Sequence, residues 1–124
     1  FSVVAVYEDS ACSGTPFQIT FEPIVWCDPL KAANGQCQSI RGSLFSVSSC
    51  TQDYTTFATT AFEGKLFVIE QAFSRDYCDK VDFVTAYAAD GNCHTDLDGS
   101  TSFQAVLDTD TTLVFRTFSD SACN

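Results

Sequence analysis

The chain has 124 residues, 45% of them hydrophobic and 14% aromatic, with 12 Phe and 4 Tyr. That is enough to fill one core, and too aromatic for a disordered segment. Six basic against 16 acidic side chains leave a net charge of −10, which argues against nucleic acid and anionic membrane as partners, and no long apolar run suggests a membrane span.

The elements read mostly as strand. Candidates in chain order are Phe1–Tyr7, Phe17–Phe21, Leu44–Ser48, Tyr54–Thr60, Leu66–Ala72, Asp82–Tyr87, Ser102–Leu107 and Leu113–Phe118. They are rich in Phe, Val, Thr and Tyr, which suit a pleated surface. Phe17-Gln-Ile-Thr-Phe21 alternates, one face in and one out. Leu66-Phe-Val-Ile69 is continuously apolar and reads as buried on both faces. Turn residues separate them at Ser13-Gly14-Thr15-Pro16, Asn34-Gly35, Glu63-Gly64, Asp90-Gly91-Asn92 and Asp98-Gly99. The one weak helix candidate is Pro29–Ala33, with Asp28 as N-cap. Many short strands between turns predict an all-β, disulfide-stapled sandwich or barrel. No linker interrupts the chain, so residues 1–124 read as a single compact domain.

Cysteine use points to an oxidising compartment. There are seven Cys and no Met. A chain that begins Phe1-Ser2-Val3 without Met suggests a removed secretory signal, hence a secreted, extracellular protein. The spacings are wide and no Cys-x-x-Cys occurs, which disfavours zinc. No Asn-x-Ser/Thr sequon is present.

The chain also resembles itself at an offset of 66. Tyr7 to Cys12 matches Phe73 to Cys78 in aromatic-to-Cys spacing. Phe17, Ile19 and Phe21 align with Phe83, Thr85 and Tyr87, and Cys27 aligns with Cys93. This suggests two related modules, approximately 1–62 and 67–124. Asp9-Ser-Ala-Cys12 recurs unchanged as Asp120 to Cys123, suggesting a truncated third unit at 112–124. If the modules are equivalent, the parsimonious bonds are Cys12–Cys27, Cys37–Cys50 and Cys78–Cys93. Cys123 is then left over, available for an intermolecular bond.

Catalytic signals are sparse. A Ser–His–Asp or Cys–His site would have to use His94, the single histidine. No Gly-x-Ser-x-Gly elbow occurs, and Arg41-Gly42-Ser43 is not one. Glu22, Glu63 and Glu70 flank apolar strands and are the better candidates for a paired-carboxylate hydrolase. No catalytic residue is assigned. No cofactor is expected; the alternative is Ca2+ held by Asp90, Asp96 and Asp98, with Asp108-Thr109-Asp110 following. Trp26 beside Cys27 reads as an indole packed on a disulfide, or as a carbohydrate-stacking surface. Tyr54 and Phe57 could line such a platform or serve a core.

The string Tyr7 to Pro16, aromatic-x-Asp-Ser-Ala-Cys-x-Gly-x-Pro, resembles a module of secreted cysteine-rich proteins of oomycete type. It covers 7–21 well, 73–87 loosely and 118–123 in truncated form. The second copy has Asp79 to Asp82 in place of the Gly and Pro region. The resemblance implies secretion and β-structure, and no catalytic residues. Together these features suggest a non-enzymatic structural protein that assembles with copies of itself into a fibre, coat or matrix. The alternative is a monomeric secreted effector or binding module for a polysaccharide or host protein.

Overall fold

The computed structural model describes residues 1–24, 26–28, 35–74, 77–107 and 112–124. Nine strands and one helix are formed by these residues. They are β1 (Ser2–Tyr7), β2 (Gln18–Glu22), β3 (Gln38–Arg41), β4 (Leu44–Cys50), α1 (Tyr54–Ala61), β5 (Phe67–Ser74), β6 (Tyr77–Ala88), β7 (His94–Thr95), β8 (Ser102–Leu107) and β9 (Leu113–Phe118). The architecture is all-β with disulfide stapling. One sheet has six strands in the order β3-β4-β1-β2-β6-β5, and a second has three in the order β7-β8-β9. Every pairing is antiparallel.

Period-2 alternation sets the core. Val3 lies opposite Phe21 and Ala5 opposite Ile19 across β1 and β2. Ile19 and Phe21 lie opposite Ala86 and Val84 across β2 and β6. These six side chains form one buried row on one face of the large sheet. Helix α1 covers that face. Phe57 and Tyr54 meet the Phe21 ring at centroid distances of 5.8 and 6.0 Å, and Phe62 stacks on Phe67 at 4.8 Å. The small sheet covers one end of the opposite face. There Tyr87 meets Phe103 at 4.7 Å and Phe115 at 4.9 Å.

The segment Tyr54–Thr60, expected as a strand, is helix. Its apolar positions Tyr54, Phe57, Ala58 and Ala61 recur at the 3.6-residue period. Asp53 caps the start, accepting from the Thr55 and Thr56 amides at 3.0 and 3.1 Å. The threonines face solvent, and Thr59 and Thr60 hydroxyls donate back to the carbonyls of Thr55 and Thr56, both at 2.9 Å. Leu66–Ile69 is half-buried or exposed, not buried on both faces, because β5 is an edge of its sheet. Strands β3 and β7 were not anticipated. The helix candidate at 29–33 lies outside the described residues.

Candidate functional site

The disulfides are Cys12–Cys37, Cys27–Cys50 and Cys93–Cys123, with Cα separations of 5.6, 5.8 and 6.0 Å. All three differ from the pairing expected from equivalent modules. Cys123 is bonded, and the free thiol is Cys78, which is exposed. Strand order explains the pairing. Ser2 of β1 pairs with Glu22 on one side and Cys50 on the other, so the chain leaving β2 carries Cys27 to the end of β4. Phe45 of β4 pairs with Tyr7 and with Ser39, so the loop after β1 brings Cys12 to Cys37, just before β3. Phe103 of β8 pairs with His94 and with Thr117, which brings Cys93 to Cys123. Each bond thus ties two strands across the strand between them. The closed loops span 25, 23 and 30 residues. In the loop-entropy model each stabilises the fold by roughly 3–4 kcal/mol.

Two of these cysteines sit in the same local turn. The Asp9 carboxylate accepts from the amides of Ala11 and Ser13, both at 3.1 Å. Asp120 accepts from Ala122 at 2.7 Å and Asn124 at 3.3 Å. In each turn the cysteine three residues after the aspartate has a left-handed backbone, φ 48° at Cys12 and 56° at Cys123. The Asp-Ser-Ala-Cys string therefore encodes a carboxylate-closed loop that presents a half-cystine. The Ser13 amide is the main reason the Asp9 carboxyl is held below its usual range.

His94 is buried, 5% exposed. Its Nδ1 lies 3.0 Å from Glu8 and its Nε2 3.0 Å from Asp90. The ring stacks on Phe17 at 4.9 Å, with an interplanar angle of 3°. A ring facing an ionised carboxylate at each nitrogen donates to both only when it carries both protons. Neither nitrogen is left to take a proton from a serine, and the adjacent Cys93 is in a disulfide. The arrangement ties β7 to the loop after β1. Burial works to raise the Asp90 carboxyl, but the Asn92 amide and His94 outweigh it and hold it low.

Each of the calcium candidates accepts hydrogen bonds from the protein itself. Asp98 accepts from the Ser100 and Thr101 amides at 2.8 and 3.1 Å, chiefly through which its carboxyl falls to about 2. Arg41 donates to the Asp98 carbonyl. Gly99 stands at φ 72°, a left-handed conformation that strains any other residue, and a Cβ there would have to push the Arg41 side chain aside. Asp90 serves Asn92 and His94. Asp96 takes the Gln18 amide at 3.0 Å and the Leu97 amide at 2.7 Å. Among the described residues no three His, Cys, Asp or Glu side chains converge on one ion. Residues 108–110 lie outside them.

Trp26 is 76% exposed and so is not packed away on the neighbouring disulfide. Tyr54 and Phe57 serve the core against Phe21 rather than forming a platform. Glu63 lies just past α1 in a left-handed conformation, φ 52°. Glu22 and Glu70, by contrast, share a groove.

That groove, about 630 Å³, lies on the open part of the large sheet, over β2, β6 and β5. Glu22, Glu70, Asp82 and Asp96 supply its charged groups, and Ile24 and Phe83, both 43% exposed, supply apolar surface. Gln18, 4% exposed, lies in its wall. The Gln18 NH2 group must face Asp96, because an ionised carboxylate can only accept. This leaves Gln18 Oε1 buried with no hydrogen-bond partner, at a cost of about 1–3 kcal/mol. Tyr87 donates to Glu70 at 3.2 Å. Burial, and then the Glu70 charge, push the Tyr87 phenol well above its usual range.

Sequence reasoning missed Gln18, Asp82 and Tyr87 here, since they meet only through strand register. Among the described residues no helix is long and apolar enough to cross a membrane. Compared with known proteins, the chain matches no family model, no curated protein and no solved structure.

Proposed function

We propose that the protein is a secreted, non-enzymatic building block that joins copies of itself outside the cell. The observation that carries this reading is Cys78: three bonds consume six half-cystines and leave one exposed thiol. It stands at the start of β6, by the hairpin that joins β6 to β5. Strand β5 is an edge of the large sheet, and its Phe67-Val-Ile-Glu-Gln-Ala run suits pairing with another strand. The disulfides support an oxidising surrounding, where a spare exposed cysteine is a candidate for a bond between chains.

One thiol per chain closes a pair and stops. Two Cys78 thiols join by exchange with a small disulfide, which leaves as two thiols and so takes up the electrons and protons. Growth into a fibre or coat then runs through the edges β3 and β5, which lie at opposite sides of one sheet. A head-to-tail contact between unlike edges propagates when its rotation does not close. The charge of −10 opposes association, so added salt should strengthen the noncovalent contact.

Non-reducing electrophoresis of native protein tests the reading. The expected result is a species at twice 13.5 kDa that collapses on reduction and is absent from Cys78→Ser. A native monomer with Cys78 open to alkylation would contradict the covalent contact. The alternative, a binding module, is favoured by the groove at Gln18.

A further inference from the structure

The groove over β2, β6 and β5 carries a separate inference, independent of self-association. We propose that it binds a basic peptide segment of a partner protein, with Lys or Arg side chains laid across it. Every charged side chain of its lining is a carboxylate: Glu22, Glu70, Asp82 and Asp96. Among the described residues none of the four is in an ion pair with Lys, Arg or His. Glu70 and Asp96 are met by neutral donors, the Tyr87 hydroxyl and the Gln18 and Leu97 N–H groups, which leave the charge uncompensated.

Gln18 gives the second, independent sign of a ligand. Its Oε1 is an acceptor in a side chain that is 4% exposed, and it has no partner. That oxygen has no exposed surface, so a donor reaches it only when the Gln18 side chain turns toward the groove, and a ligand that would then serve both it and the carboxylates is one rich in N–H groups. Ammonium and guanidinium heads carry three and five such donors and accept nothing. Their aliphatic stems fit the apolar surface of Ile24 and Phe83, which stand beside the carboxylates. A neutral sugar fits less well. Its hydroxyl oxygens need donors of their own, and the groove has no basic side chain to give them. A divalent ion fits less well still, since no three ligands converge among the described residues.

Titration calorimetry with a tetralysine peptide at physiological ionic strength tests the assignment. One peptide is expected to bind per chain. Glu22→Gln with Asp82→Asn is expected to weaken binding by about tenfold. Glu63→Gln with Asp79→Asn removes the same charge outside the groove and is expected to change it by less than about twofold. Gln18→Met leaves the charge untouched and is expected to weaken binding as well. Should that buried substitution unfold the chain, the two exposed acidic pairs still decide. Equal weakening by both pairs would reduce the effect to the general field and overturn the site. So would absence of tetralysine binding, or binding of spermine or a neutral oligosaccharide in its place.

Discussion

Aspartate side chains do much of the local work in this chain. Asp9, Asp53, Asp98 and Asp120 each close a turn or cap a helix by accepting backbone amides. Such bonds are stronger to the ionised carboxylate than to the neutral acid. Asp9, Asp53, Asp90 and Asp98 all have carboxyls held below their ordinary value. A depressed folded-state value stabilises the fold above the unfolded value of about 4, and the contribution is lost as pH falls through the folded value. For Asp98 the window runs from about 4 down to about 2. The thermal midpoint is therefore expected to fall steadily between those pH values, and Asp98→Asn to flatten that fall, as read by circular dichroism. At neutral pH, Asp53→Ala removes the cap of α1 and should lower the midpoint by roughly 3–6 °C; an unchanged midpoint would show that the cap contributes nothing.

The elements show which signals the sequence carries openly. Ser102–Leu107 and Leu113–Phe118 were legible with their boundaries, and β2 nearly so, because alternation and turn residues are local. Strands β3 and β7 have four and two residues, too few for any period to declare itself. The segment at 54–61 carries two signals. Its threonines favour strand, while Asp53 and the spacing of Tyr54, Phe57, Ala58 and Ala61 favour helix, and packing against Phe21 decides. Phe62 anchors that packing, buried completely and stacked on Phe67. Phe62→Ala should cost about 3–5 kcal/mol in urea unfolding, whereas a value under about 1 would mean that the helix does not seal this face.

At the scale of the molecule, local pattern no longer suffices. Pairing by equivalence of the two modules suggests Cys12–Cys27, yet Cys12 and Cys37 are neighbours because β1 and β3 flank β4. The groove was equally hidden, since Gln18, Glu70, Asp82 and Asp96 come from separate parts of the chain and meet through β2, β6, β5 and the loop before β8. What was readable early was the chemistry of the parts: an oxidised, acidic, aromatic-rich β-structure with one cysteine to spare. Which cysteine is spare depends on strand order. Each clamp over an intervening strand fixes that order, and Cys78 lies in a hairpin that no clamp spans.

Peptide mapping of the unreduced protein by mass spectrometry tests this arrangement most directly. The account predicts linked peptides for Cys12–Cys37, Cys27–Cys50 and Cys93–Cys123, with Cys78 found as a thiol or joined to a second chain. A linkage within one chain between Cys78 and Cys93, or a free Cys123, would contradict it.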